Sequence, residues 1–149
     1  MKRFISLVML VIVIAGIIPI TVGAEENGVE IIRFDDGSYM IVEMVSGKTR
    51  SSKSVTGSKK YTYYNSDDVS QWNAVLTGSF NYNGTSATCS SSSVDVTIFD
   101  SGWYVVSKYA SKSGNTATAS VTMGWRYDGS TIKVPASLSL KCDKNGNLS

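Results

Sequence analysis

The strict alternation of apolar and polar residues in the second half of the chain limits the fold more than any other feature. From residue 116 to residue 127, every second side chain belongs to one face, which carries Ala117, Ala119, Val121, Met123, Trp125 and Tyr127. The side chains between them are Thr, Ser, Gly and Arg, and residues 71–82 alternate in a similar way. Successive side chains of a β-strand point to opposite faces of the sheet. Both segments are therefore predicted to be half-buried strands.

Turn signals separate the alternating segments and predict hairpins. The signals are Asp36-Gly37, Asn83-Gly84, Ser113-Gly114-Asn115 and Asp128-Gly129. Short strands joined by such turns, with no helical period between them, are typical of all-β domains. The predicted fold is all-β: an antiparallel two-layer β-sandwich or flattened barrel of about seven to nine strands, joined mostly by hairpins, after an N-terminal signal helix.

Turn length also predicts which residues pair. A two-residue turn at Asn83-Gly84 sets Gly78 opposite Cys89 and points Cys89 inward. A three-residue turn at residues 113–115 sets Tyr109 opposite Ala119, and Tyr109 is then predicted to face inward. Trp103 is expected to pair with Trp125 in the same hairpin.

The last strand is predicted from the two-residue turn at Asp128-Gly129. This turn brings Cys142 inward and leaves Pro135 facing outward. A proline cannot donate a hydrogen bond to a neighbouring strand, so the last strand is predicted to be an edge strand or to contain a bulge.

The first 24 residues have the composition of a secretory signal peptide. Lys2 and Arg3 precede an apolar run from Phe4 to Ile18, and small residues at 22–24 suit cleavage between Ala24 and Glu25. An uncleaved membrane anchor is the alternative, because the apolar segment could just span a bilayer. Cleavage predicts a secreted, extracellular protein with equal numbers of basic and acidic residues. That balance gives no reason to expect nucleic acid as a partner.

The rest of the chain is divided into three parts. Residues 25–45 are predicted to form a variable N-terminal β-hairpin. Its register stays open, because a two-residue loop would set Glu30 opposite Glu43. Residues 46–60 are predicted to be a flexible linker. Residues 61–149 are predicted to form the β-sandwich domain. The linker also suits attachment to an anionic cell envelope through its five basic residues, which are Lys48, Arg50, Lys53, Lys59 and Lys60.

Cysteine and histidine usage limits the chemistry. Two cysteines in an exported chain favour one disulfide, and both fall on inward positions, so a Cys89–Cys142 bridge is predicted. The sequence contains no histidine. This excludes Ser-His-Asp and Cys-His nucleophile systems and the common His-ligated zinc and iron sites.

Several segments together resemble one group of proteins. YTYYNSDDVSQW, LTGSFNYNGTSATC, SGW, SKSGNTATASV and LSLKCDKNGNLS are similar to segments of an uncharacterised family of small secreted proteins of Gram-positive gut bacteria. The resemblance covers residues 52–149. It implies a bacterial, exported protein whose two cysteines are a pair, and it implies no activity.

The acidic residues offer weak candidates for catalysis or metal binding. The doublets Asp35-Asp36 and Asp67-Asp68 could be paired carboxylates of a glycoside hydrolase, but both lie beside turn residues, where aspartate is common. The segment 143–147 hints at a calcium loop, yet its glycine is misplaced and no glutamate follows. We therefore predict no catalytic residue, no metal site and no cofactor, and expect that the protein is not an enzyme.

Exposed aromatic residues are the candidates for ligand contact. Tyr104 is predicted to face outward, together with either Tyr64 or the pair Tyr61 and Tyr63. The leading functional hypothesis is a cell-surface or extracellular binding module for a glycan, an envelope component or a protein partner. A secreted effector, such as a bacteriocin-like toxin or an inhibitor, is the alternative. A carboxylate-dependent hydrolase is the third hypothesis.

Overall fold

The fold is described by a computed structural model for residues 19–22, 28–51 and 53–149; for residues 19–22 and 46–50 only the backbone is described. These parts of the chain contain nine strands and no helix. The strands are β1 (Pro19–Val22), β2 (Val29–Phe34), β3 (Tyr39–Arg50), β4 (Ser54–Tyr64), β5 (Ser70–Tyr82), β6 (Ala87–Ile98), β7 (Trp103–Ser113), β8 (Thr116–Tyr127) and β9 (Ser130–Lys141).

The strands form two antiparallel sheets that pack face to face. The larger sheet has the order β1-β2-β3-β4-β5-β6, and the smaller has the order β7-β8-β9. The smaller sheet contacts β4, β5 and β6, with β7 against β6 and β9 against β4. The all-β prediction is confirmed, and two packed antiparallel sheets are consistent with the predicted sandwich.

The core lies between the sheets and is built from the alternating inward positions. Its largest fully buried side chains include Trp72, Phe80, Met40, Leu76, Met123 and Leu140. Tyr63 stacks on Trp72 with ring centroids 5.5 Å apart, and Trp103 meets Tyr63 edge-on at 5.2 Å. Aromatic contacts of this kind stabilise a core beyond the apolar area that they bury.

The β8–β9 hairpin agrees fully with the prediction from sequence. Tyr127 pairs with Ser130, and the register continues without a shift to Thr116 and Lys141. Asp128 and Gly129 have φ values of 45° and 77°, as a type I′ turn requires. Among the described strands, β9 pairs with β8 alone, so Pro135 lies on an edge strand as predicted.

The predicted register of the β5–β6 hairpin is wrong. The Asn83 side chain accepts hydrogen bonds from the backbone N–H groups of Thr85 and Ser86, and this widens the loop to residues 83–86. Phe80 consequently pairs with Cys89, and a bulge at the next residue pairs Gly78 with Ser92. Cys89 still points inward, because a four-residue loop keeps the facing that a two-residue loop would give.

The predicted register of the β7–β8 hairpin is wrong at one end only. The loop has two residues, since Ser113 pairs with Thr116, and a bulge between Val105 and Ser107 then restores the predicted pairing of Trp103 with Trp125. Between the turn and the bulge, every side chain of β7 faces opposite to the prediction. The reason is that a change of one residue in the register exchanges the two faces of that strand.

The predicted linker at residues 46–60 is not a linker in the structure. Its first part continues β3 and its second part belongs to β4, which pairs with β5 along its whole length. Residues 28–45, the described part of the predicted N-terminal hairpin, likewise do not stand apart, because β2 and β3 belong to the larger sheet. The β2–β3 loop has four residues and sets Glu30 opposite Val42, so the unfavourable pairing of Glu30 with Glu43 does not occur.

The predicted signal helix and the cleavage site between Ala24 and Glu25 lie outside the described residues. Pro19–Val22, which the prediction places in the signal peptide, form β1 and pair with β2. Cleavage after Ala24 would remove β1 and leave β2 as the edge strand. None of the described segments is a helix that is long and apolar enough to cross a membrane.

Candidate binding surface

The outer face of the smaller sheet is rich in hydroxyl groups. In the register of β7, β8 and β9, residues that point away from the core are paired with one another across the three strands. We call this surface the hydroxyl face, and its outward residues are Ser107, Tyr109, Ser111, Thr118, Ser120, Thr122, Ser137 and Ser139. Threonine and serine suit the solvent side of a strand, so their presence alone does not indicate a ligand.

Tyr109 distinguishes this face from an ordinary solvent-exposed sheet. It pairs with Ser120, which pairs in turn with Ser137, and 68% of its surface is exposed. A shallow depression of about 300 Å³ is lined by Tyr109, Ser111, Thr118, Ala119, Ser120, Ser137, Leu138 and Ser139. An aromatic ring that stands beside a shallow depression offers a flat apolar contact next to polar groups.

The hydroxyl groups around Tyr109 are largely free to bind a ligand. Ser111 and Thr118 bond to each other, with 2.7 Å between their oxygens. In the part of the chain that the structure describes, the side chains of Ser120, Ser137 and Ser139 form no hydrogen bond with the protein. These three residues are exposed.

The smaller sheet also carries a one-signed charge. Its strands contain Lys108, Lys112, Arg126, Lys133 and Lys141 and no acidic residue. Arg126, Lys133 and Lys141 lie at outward positions of β8 and β9. The hydroxyl face is therefore flanked by cations without acidic neighbours on the same strands.

Tyr104 faces outward as predicted, but its ring is covered. The ring lies across Gly124, where a β-carbon would come within 2.5 Å of the Tyr104 Cζ atom. The guanidinium of Arg126 lies 4.8 Å from the ring centroid. This cation–π contact occupies the ring, so Tyr104 serves mainly to place Arg126.

Tyr64 also faces outward, but on the larger sheet. It stacks on Tyr39 with a centroid distance of 4.9 Å. The Arg33 guanidinium carbon lies 5.5 Å from the centroid of the Tyr39 ring. Partial burial raises the pKa of Tyr39, and a hydrogen bond with Asp68 adds to the rise. The structure therefore separates Tyr64 from Tyr104, since each lies on the outer face of a different sheet.

Tyr61 and Tyr63, the alternative to Tyr64 in the prediction, are buried in the core. They are only 6% and 3% exposed. Burial raises the pKa of Tyr61 to about 12, with a smaller contribution from Glu30. Neither residue can contact a ligand on the surface.

The three basic residues of segment 46–60 whose side chains are described, Lys53, Lys59 and Lys60, have different surroundings. Lys60 pairs with Glu43 at 2.7 Å, whereas Lys59 donates to the backbone carbonyl of Ser139 at 3.3 Å on the side of β9. Lys53 is exposed in the β3–β4 loop. Lys48 and Arg50 belong to β3, and their side chains lie outside the described part of the structure.

The acidic doublets lie in turns, and among their four carboxylates that of Asp36 stabilises its own turn. Asp36 accepts a hydrogen bond from the backbone N–H of Ser38 at 3.0 Å. Asn65 organises the loop that holds Asp67 and Asp68, since its side chain accepts from the N–H groups of Asp67 and Val69. These bonds explain why aspartate and asparagine stand there. Among the described residues, no group of three or more Cys, Asp or Glu side chains is placed to hold a metal ion.

The C-terminal segment 143–147 is a turn in the structure. Asp143 accepts hydrogen bonds from the backbone N–H groups of Asn145 and Asn147, each at 2.8 Å, and also from the Asn147 amide. These bonds lower the pKa of Asp143, and the two from Asn147 contribute most. Its carboxylate therefore closes the turn.

The predicted disulfide is absent, because Cys89 and Cys142 are not bonded to each other. Both are buried near the β7–β8 turn. The backbone N–H of Cys89 donates to Gly114 at 2.7 Å, and that of Cys142 donates to Asn115 at 3.0 Å. Backbone hydrogen bonds thus join both cysteine segments to one turn. Both cysteines face inward as predicted, and only the predicted bond between them is wrong.

Tyr109 is the candidate that sequence reasoning missed. Its inward assignment followed from a three-residue turn, and the signal that favours the correct facing is the Ser111–Thr118 hydroxyl pair in a two-residue register. Comparisons with protein-family models, with curated proteins and with solved structures find no match for this chain.

Proposed function

We propose that this protein is a secreted, non-enzymatic module that binds an extracellular glycan through the hydroxyl face. The exposure of Tyr109 above free hydroxyl groups carries this proposal. A sugar ring presents apolar C–H groups on its faces and hydroxyl groups around its rim. The Tyr109 ring can pack against the apolar C–H groups, and Ser120, Ser137 and Ser139 can form hydrogen bonds with the sugar hydroxyls.

The regular pairing of the strands below this surface favours binding without rearrangement. Strands β8 and β9 pair over their full length without a shift of register, and their inward residues belong to the core. A preformed surface loses little conformational freedom when it binds a ligand. Export is supported by the signal-like N-terminus and by the resemblance to secreted proteins of Gram-positive bacteria.

The test is retention of purified residues 25–149 on cell walls, on neutral and acidic polysaccharides, and on mucin. We expect retention on at least one glycan, and Tyr109→Ala should weaken it about tenfold. Tyr127→Ala is the matched control. Tyr127 is equally exposed, at 70%, but belongs to the opposite face of β8. No retention on any glycan at low salt would refute the proposal, as would equal losses in the two variants.

A further inference from the structure

We infer that the glycan bound by the hydroxyl face is a linear acidic polysaccharide whose carboxylates lie against Lys133 and Lys141, on either side of Tyr109. The inference rests on the proposed function and specifies its ligand class. It depends on where the register places three side chains that are far apart in sequence.

Tyr109 lies midway between the two lysines along the sheet. Its row contains Ser120 and Ser137, while Lys133 stands opposite Gly124 and Lys141 opposite Thr116. Each lysine is therefore four residues from the Tyr109 row along β8 and β9, which is about 13 Å at the rise of an antiparallel strand. Tyr109 lies on β7, two strands across the sheet from the lysines of β9, which is about 9 to 10 Å. The three side chains thus form a wide triangle on one face, which only a chain of several sugars would cover.

The two lysines are not neutralised within the protein. In the described parts of the chain, neither side chain forms an ion pair or a hydrogen bond with the protein. The carboxylate nearest in sequence to Lys141 belongs to Asp143, which accepts three hydrogen bonds inside its own turn. The cations are therefore available to an anionic ligand.

The smaller sheet has acidic residues at its ends, Asp128 in the β8–β9 turn and Asp143 after β9, and further aspartates lie elsewhere. Five aspartates occupy the loops β2–β3, β4–β5 and β6–β7 and belong to the larger sheet or its connection to β7: Asp35, Asp36, Asp67, Asp68 and Asp100. The predicted mature chain is formally neutral, whereas the strands of the smaller sheet carry five basic residues and no acidic one. A polyanion would thus meet an attractive surface on a neutral protein.

The neighbouring groups favour a carboxylated sugar chain over other polyanions. Charge alone would select any anionic polymer, but Tyr109 and the free hydroxyls around it suit a pyranose ring. A glycerol-phosphate polymer carries negative charge but no sugar rings in its backbone, so its binding measures the effect of charge alone.

The experiment compares polygalacturonate with its fully methyl-esterified form, which has the same backbone without the charge. We expect tighter binding to polygalacturonate, and weaker binding as salt is raised, because exposed charges are screened. The double variant Lys133→Gln/Lys141→Gln should lose about tenfold in affinity for polygalacturonate and remain unchanged toward the ester. The control is Lys53→Gln/Lys144→Gln, which removes the same charge from two exposed lysines outside the hydroxyl face.

Each other outcome overturns a defined statement. Equal binding to the acid and the ester, with dependence on Tyr109, would refute the acidic ligand and leave the proposed function standing. Equal losses in the two double variants would show that net charge acts in place of these lysines. Tight binding of a glycerol-phosphate polymer that is unchanged in Tyr109→Ala would refute the role of the sugar ring. Binding to no glycan would refute both proposals.

Discussion

The side chain of Leu148 occupies the space that a side chain at Gly57 would need. A β-carbon on Gly57 would come within 2.3 Å of the Leu148 Cδ1 atom. Leu148 reaches this position because the chain turns back after β9, where Lys141 and Ser149 exchange two backbone hydrogen bonds of 2.9 and 3.0 Å. The last residues thus cover the edge of β9 and fill a gap above β4, and edge strands generally need such protection.

Gly57→Ala should lower the free energy of unfolding by about 1 kcal/mol, because the end of the Leu148 side chain must move aside to make room for the added methyl group. The measurement is the urea midpoint of the purified protein. In the double variant Gly57→Ala/Leu148→Ala, the second substitution removes the clash. We therefore expect the double variant to lose less stability than the sum of the two single variants. Additive losses would contradict the contact.

Stability should fall in alkaline solution because of Tyr61. The unfolded chain releases the Tyr61 proton near its ordinary pKa of 10.0, whereas the folded protein holds it to about 12. The stabilisation is therefore fully present below about pH 10 and is lost as pH rises through the folded pKa, by about 2 to 3 kcal/mol in total. Urea unfolding at about pH 8 and about pH 11 measures the change.

Tyr61→Phe provides the control for this pH dependence. The variant lacks the titrating hydroxyl but keeps the buried ring, so its stability should decline less over the same interval. Tyr63, whose pKa burial also raises, accounts for part of the remaining decline. An identical decline in Tyr61→Phe and in the unmodified protein would contradict the assignment.

The Cys89 thiol, which is not bonded to Cys142, should react poorly in the folded protein. Burial raises the pKa of Cys89, and the nearby Lys112 only partly opposes this rise, so little reactive thiolate exists at neutral pH. We expect slow reaction with a thiol reagent in buffer and rapid reaction of both cysteines in urea. A mass spectrum should be unchanged by reductant, and a shift on reduction would show that the thiols are joined.

The hydrogen bond between Gln71 and Trp103 should contribute measurably to stability. Gln71 is buried, and its side-chain oxygen accepts from the Trp103 indole N–H at 3.2 Å. Gln71→Leu would leave that indole group buried without its partner and should cost about 1 to 3 kcal/mol. Trp103→Phe removes the donor, and the substitution of Gln71 should then cost less. An equal cost in both backgrounds, measured by urea unfolding, would contradict the bond.

Most of the fold follows from local properties of the sequence. The period of two places the apolar side chains of β5, β8 and β9 on one face whatever their partners are. Asp128-Gly129 favours the positive φ angles of a type I′ turn. The all-β class, the β8–β9 register, the edge position of Pro135 and the inward facing of both cysteines could therefore be predicted.

Segment 46–60 shows how composition can mislead. Its glycines, serines and lysines are typical of a linker. In the structure, however, Gly57 leaves room for the Leu148 side chain, and Lys60 pairs with Glu43 on the neighbouring strand. The glycine and the lysine are thus explained by contacts with residues that are distant along the chain.

The amphipathic character of the strands follows from the amino-acid order, because the alternation of side chains is a property of each strand alone. Which outward residues share a surface depends on how the strands pair in three dimensions. Tyr109 faces solvent because the β7–β8 loop has two residues, and the bulge at Val106 confines the reversed facing to the segment next to the turn. Loop length and bulges depend on hydrogen bonds and packing between strands, and one residue of difference exchanges core and surface.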